Sequence, residues 1–261
     1  MAVLSNADKR REIIAQQLAR ENVVRVAELS RHFGISEVSI RRDLERLERE
    51  GLLQRIHGGA MAVAVGSGAG DLASAATPRR DEKRRIGHAA AALVRPGERV
   101  IFDSGTTVLE IARSLSSDQA GTGNLTAITS SLPIVQELGH RPWVNLLLLG
   151  GIYLPEYRVV VGPQTVENLR GLHADKMFLG TDGLTLDHGL TTANVLEAEV
   201  DRAMVRAAAK IIVVADSSKI SCAGLTTIIP LAEIHVLVTD RGAPEGFLEQ
   251  LRSLGIQVIL A

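Results

Sequence analysis

Five short turns hold most of the chemistry of this 261-residue chain: Asp103-Ser-Gly-Thr-Thr107, Thr129-Ser-Ser131, Gly150-Gly151, Gly180-Thr-Asp-Gly183 and Asp216-Ser-Ser-Lys219. Each follows a short apolar run that reads as a β-strand, and the first two precede a helical pattern. Gly105 lets a ligand approach the backbone. Thr106 and Thr107 set hydroxyls beside free helix N–H groups, which is a cradle for phosphate. One hydroxyl-rich strand-to-helix turn is more often a simple N-cap. Five polar or glycine turns at strand carboxyl ends predict a pocket, because open α/β sheets bind ligands there. Its groups are hydroxyls, two glycine turns, the carboxylates of Asp103 and Asp182, and the Lys219 cation. That set suits a small phosphorylated sugar or polyol, with amides and lysine for phosphate and carboxylates for hydroxyls.

A second group of polar residues sits near the N-terminus: Ser36, Glu37, Ser39, Arg41 and Arg42, followed by Arg55 and His57. The pattern around them is helical. Lys9–Glu21 places Ile13, Ile14, Leu18 and Ala19 on one face, a break follows at Asn22, and Val26–Phe33 is a short second helix. Gly34-Ile35-Ser36 makes a tight turn with Ser36 as N-cap. A third helix runs from about Glu37 to Glu50, burying Ile40, Leu44 and Leu47. The pattern is a helix-turn-helix whose third helix enters a DNA major groove, where Arg41 and Arg42 meet guanine or phosphate. Asp43, Glu45, Glu48 and Glu50 make its far half acidic, facing away from DNA. Leu52–Gly59 reads as a two-stranded wing, with Arg55 and His57 toward phosphates and Gly58-Gly59 at its tip.

These sites need two units to position them. Composition shifts near residue 60, and 61–77 is an Ala/Gly/Ser-rich linker between a head (1–60) and an α/β domain (78–261). The head has eleven Lys and Arg against nine Asp and Glu; the remainder has eighteen against twenty-one. A net charge of −1 for the whole chain therefore hides a mildly basic head on an acidic partner. Seven strands are expected, at Val100–Asp103, Leu125–Thr129, Val144–Leu149, Lys176–Leu179, Ile211–Val214, Ile234–Thr239 and Ile256–Leu260. Helical patterns lie between them at Thr107–Leu115, Leu132–Leu138, Ala193–Ala208 and Pro244–Leu254. Alternation of this kind predicts a largely parallel sheet buried on both sides. The single cysteine, Cys222, excludes a disulfide framework and a multi-cysteine zinc site. The histidines are scattered, so no metal or other cofactor is expected. No apolar run reaches membrane-spanning length and no signal peptide is evident, so a soluble, cytoplasmic protein is expected.

The stretch VRVAELSRHFGISEVSIRRDLERLEREGLLQRIHGGA resembles the DeoR-type winged helix-turn-helix, whose core reads Val-Ser-x-x-Thr-Ile-Arg-Arg-Asp-Leu and ends in His-Gly-Gly-Ala. Ile35 stands for the Val and Ser39 for the Thr. The resemblance continues through Lys83-x-x-Ile86, the Asp-Ser-Gly-Thr-Thr turn, Leu149-Gly-Gly151, Gly162-Pro163, the Gly-Thr-Asp-Gly turn, Glu197–Met204 and the Asp-Ser-Ser-Lys turn. It implies a ribose-5-phosphate isomerase-like sensor of phosphorylated sugars behind the winged helix. Asp103, Ser104, Gly105, Thr106, Thr107, Ser130, Ser131, Gly150, Gly151, Asp182, Glu197 or Glu199, and Lys219 would line the effector site. It further implies a repressor of a carbohydrate operon, not an enzyme, binding operator DNA as a homodimer or homotetramer. Three departures stand out. Leu154 replaces a frequent Arg, with Arg158 four residues on. Thr-Ser-Ser replaces Thr-Asn-Ser. Asp182-Gly-Leu-Thr185 lacks the second carboxylate of an isomerase turn, which argues for binding without turnover. The competing reading is an isomerase-like enzyme carrying a DNA-binding head.

Overall fold

The computed structural model describes residues 10–49 except 12, 16 and 19–22, then 53–56, 59–62, 79–119 and 124–261. The chain divides into two compact units, Met1–Pro78 and Arg79–Ala261.

In the first unit the backbone is helical at residues 10–11, 13–15 and 17–18. Strand β1 (Val23–Arg25), helix α1 (Val26–Phe33), helix α2 (Glu37–Arg49), β2 (Leu53–Ile56) and β3 (Gly59–Ala62) follow. The core joins Ile14, Leu18, Val24, Val26, Leu29, Ile40, Leu44, Leu47 and Leu53. Ile13, expected on the buried face, is 43% exposed. The expected two-stranded wing is a three-stranded antiparallel sheet in the order β1-β3-β2. Gly59 is not in the wing tip: it pairs with Arg25 inside the sheet. A Cβ there would stand 2.2 Å from the Val24 carbonyl oxygen, so only glycine lets β1 and β3 close. Strand β3 continues through Ala62, past the boundary placed at residue 60.

The second unit is built on a seven-stranded, all-parallel sheet. Its strands are β4 (Arg99–Phe102), β5 (Leu125–Thr129), β6 (Val144–Leu148), β9 (Lys176–Leu179), β12 (Ile211–Val214), β14 (Val236–Thr239) and β15 (Gln257–Leu260), in the order β15-β14-β12-β9-β4-β5-β6. The seven expected strands are these seven. Side chains alternate across the sheet. Ile101, Met177, Val213 and Leu237 share one core with Ala198, Val200 and Met204, while Phe102 and Phe178 stack elsewhere, 5.7 Å apart. Helices α3 (Arg80–Ala91), α4 (Thr106–Ser114) and α5 (Leu132–Leu138) pack on one another in that order. Helices α6 (Pro163–Leu169) and α7 (Val195–Arg206) pack together, and α7 also lies on β13 (Thr226–Ile229). Helix α8 (Glu245–Ser253) precedes β15. The hairpin β7 (Ile152–Leu154) and β8 (Val159–Val161), and the small sheet of β10 (Gly183–Thr185), β11 (Gly189–Thr192) and β13, lie outside the seven expected strands.

Candidate functional site

The chain lays β4, β5 and β6 outward in one direction, then returns to the other side of β4 with β9 and continues outward through β12, β14 and β15. The switch point of the sheet is therefore the gap between β4 and β9, where ligands of open α/β sheets bind. Asp103 follows β4 and Gly180 follows β9. The Gly180 N–H donates to Asp103 Oδ2 at 2.9 Å. A side chain on Gly180 would crowd the Ser104 carbonyl oxygen at 3.2 Å, so glycine lets the two turns meet. By strand alternation Asp103 shares a side with Ile101, the side on which α7 packs. The start of α7 is set by Asn194, whose Oδ1 accepts the N–H groups of Leu196 (2.9 Å) and Glu197 (3.3 Å). Glu197 and Asp201, four residues apart, then project from one helix face toward Asp103. The resulting cleft, about 170 Å³ and partly open to solvent, is lined by Asp103, Ser104, Ser130, Glu197 and Asp201 with Val159, Val161 and Val200.

Asp103 and Asp201 are each 6% exposed and act as a coupled pair. Burial, then the charges of Asp103 and Glu197, holds the Asp201 carboxyl well above the usual range. Burial also raises Asp103, against hydrogen bonds from the Ser104 and Gly180 backbones and from Asp201. Asp201 is thus the proton-holding partner and donates to Asp103. Burial pushes Glu197 up to about 8, with Asp103 and Asp182 adding to the rise and the Ser104 side chain opposing it.

Basic groups gather beside this acidic cluster. Lys219 Nζ stands 4.0 Å from Asp182 Oδ1. The other Asp182 oxygen accepts from the Thr192 hydroxyl and the Ala193 N–H, both at 3.0 Å. Lys83, on α3, is 9% exposed, and its ammonium has no hydrogen bond or ion pair among the described residues. Burial lowers its pKa, Asp216 raises it, and Lys219 and Arg79 lower it further. Arg79 donates to Ser217 Oγ at 2.8 Å and faces Asp216 at 3.8 Å.

The remaining expected ligands are placed unevenly. Gly105 (φ 92) caps α4, with Thr106 and Thr107 half-buried on its first turn. Ser131 is buried, its N–H donating to Thr129 Oγ1 at 3.0 Å. Gly150 is committed to structure: its N–H donates to Asn168 and its carbonyl accepts from Thr165. Gly151 abuts Thr165 and the Val161 carbonyl, which leaves no space for a Cβ. Neither glycine lines the cleft. Glu199 is exposed, so Glu197 is the inward residue of the two.

In the head, Gly34 (φ 63) ends α1 and Ser36 Oγ accepts the Ser39 N–H at 3.3 Å, capping α2. The Ser36 and Ser39 hydroxyls are 3.1 Å apart. Glu37 pairs with Arg41 at 2.7 Å, both side chains being about half exposed, and Arg42 is exposed. Asp43, grouped in sequence with the solvent-facing acids, is instead 4% exposed and bound by Arg10 (2.6 Å) and Arg11 (3.2 Å). The Arg55 side chain and His57 lie outside the described residues.

Residues 10–64 match the DeoR-like helix-turn-helix domain and residues 79–241 the DeoR C terminal sensor domain. The chain is 36% identical over 262 residues to a putative aga operon transcriptional repressor of Escherichia coli O157:H7, covering 98% of this chain and 95% of that one. The chain belongs to the DeoR family. A second DeoR-type relative, the transcriptional repressor AccR of Agrobacterium fabrum, is 34% identical over 92% of both chains. Ribose 5-phosphate isomerase A from Methanocaldococcus jannaschii is 17% identical over 54% of each chain with a TM-score of 0.39, and no argument rests on it.

Against the DeoR pattern, Arg158 does not reach the cleft lining: it donates to Gln136 at 2.9 Å from the β7–β8 turn. Two cleft residues of this DeoR-family chain escaped sequence reasoning as ligands. Asp201 sits one turn beyond Glu197, and that spacing was the available signal. Lys83 looked like part of a solvated basic cluster. No helix among the described residues is long and apolar enough to cross a membrane, and none of their acidic, histidine or cysteine groups is set to hold a metal ion.

Proposed function

We propose that this DeoR-family regulator represses a carbohydrate operon and releases its operator when a phosphorylated sugar fills the cleft at the β4–β9 switch point. One observation carries the reading. A helix-turn-helix head shares a chain with a sensor whose switch point joins buried carboxyls (Asp103, Glu197, Asp201) to an unpartnered buried ammonium (Lys83) and Lys219. Carboxyls take sugar hydroxyls and the lysines take phosphate. Ser104, Gly105, Thr106, Thr107, Ser130 and Asp182 complete the effector set, while Gly150, Gly151 and Ser131 shape it. In the head, Ser36, Glu37, Ser39, Arg41 and Arg42 on α2 meet the major groove, and Arg55 and His57 meet backbone phosphates.

Residues 1–60, the linker 61–77 and residues 78–261 serve as reader, tether and sensor. Paired heads on a homodimer or homotetramer match repeated half-sites, and the protein works in the cytoplasm. Induction follows when the effector binds the DNA-incompetent arrangement more tightly. The carbohydrate-operon names of relatives support this reading, as does the missing second carboxylate at Thr185. A thermal-shift screen of sugar phosphates, followed by operator gel shifts with each hit, tests it. The expected result is a stabilising ligand that weakens operator binding. Interconversion of pentose or hexose phosphates at enzymatic rates would replace the sensor with an enzyme.

A further inference from the structure

The cleft is short of a positive charge at one end and of a negative charge at the other. At the acidic end, Asp103, Glu197 and Asp201 converge, and the main charges acting on each are other carboxyls. A buried carboxyl without a partner is costly, and a sugar needs only one or two acceptors for adjacent hydroxyls. Asp201 is the surplus acid: it lies on the packed face of α7, between the buried Ala198 and Met204. At the basic end, the Lys83 ammonium is nine-tenths buried and unpartnered, with Lys219 beside it reaching Asp182. Asp182 in turn acts on Asp103, Glu197 and Asp201, so the two ends belong to one site.

We propose that the ligand carries a protonated amine as well as a phosphate: an amino-sugar phosphate, its ammonium held by Asp103, Glu197 and Asp201, with Asp201 setting the preference over the parent sugar. The proposal rests on the effector reading of this cleft and narrows it. The raised pKa of Glu197 is what an acidic cluster shows while its counter-charge is missing. An arriving ammonium lowers it again, so binding of the amine releases protons and binding of the parent sugar does not.

The test is calorimetric titration of the full-length protein with three compounds that differ at one carbon: a 2-amino-2-deoxyhexose 6-phosphate, its N-acetyl form and the parent hexose 6-phosphate. Charge-assisted hydrogen bonds predict that the amine binds about tenfold or more tighter than the other two. Its heat should also change with the ionisation enthalpy of the buffer. Asp201→Asn should lower the amine-to-parent ratio at least about fivefold. Should that variant fail to fold, the three-compound comparison on the unaltered protein still decides. Equal or weaker binding of the amine, with the parent sugar phosphate still bound, overturns the amine while leaving the sugar-phosphate sensor standing. Binding of none of the three overturns both.

Discussion

Glu197 makes the pH dependence of this protein legible at a single residue. Its folded-state pKa is raised from 4.5 to about 8, so the folded state holds a proton that the unfolded state has lost. A raised carboxyl destabilises the fold progressively as pH climbs from its unfolded value to its folded one. The sensor's unfolding temperature should therefore fall between pH 4.5 and about 8, by an amount equivalent to on the order of 2 kcal/mol after allowing for solvent screening. Glu197→Gln should flatten that slope; an unchanged slope would remove Glu197 as its source. Lys83 carries the opposite problem, an ammonium buried without a partner. Lys83→Met should leave the unliganded protein at least as stable, yet weaken sugar-phosphate binding about tenfold or more, read as loss of the ligand-induced thermal shift. A full shift in the variant would take Lys83 out of the site. Sequence exposed Asp103, Asp182 and Lys219 because they stand in turns, where polar residues attract notice. Asp201 and Lys83 stand inside helices, where a charged residue reads as solvated until packing shows which face it is on.

At the scale of elements, periodicity was enough for the seven parallel strands, because a strand buried on both faces must be a continuous apolar run. The hairpin β7–β8 and the sheet β10-β11-β13 were missed because their strands are only three or four residues long. The wing differs for another reason. β1 pairs with β3 across the whole helix-turn-helix, and no local pattern announces that pairing. Gly59→Ala tests it: the added methyl meets Val24 O, and overpacking against backbone should cost about 2 kcal/mol or more of head stability. In calorimetry the head transition should move and the sensor transition should not. Asp43→Asn should likewise lower only the head transition, by about 2 kcal/mol, because Arg10 and Arg11 lose their shared carboxylate. An effect confined to DNA affinity would mean that Asp43 is not a structural anchor.

For the whole molecule, the two compact units predict two transitions in full-length protein, with sugar phosphate raising only the sensor's and operator DNA only the head's. Arg42→Ala should weaken operator binding and reduce its salt dependence while leaving both transitions in place; unchanged affinity at matched salt would remove Arg42 from the interface. The amino-acid sequence by itself determined the kind of protein this is. A capped helix-turn-helix, an Ala/Gly/Ser-rich tether and alternating strands and helices are local patterns, and local patterns survive without coordinates. Tertiary structure alone decided where the ligand chemistry converges. The order in which strands join the sheet places the switch point between β4 and β9, bringing Asp103 to Gly180 across 77 residues of chain. The same topology turns one face of α7 onto Asp103, so that Glu197 lines the cleft and Glu199 faces solvent. Charge adds along a sequence, but its effect on a ligand depends on burial and distance, and those exist only once the chain has folded.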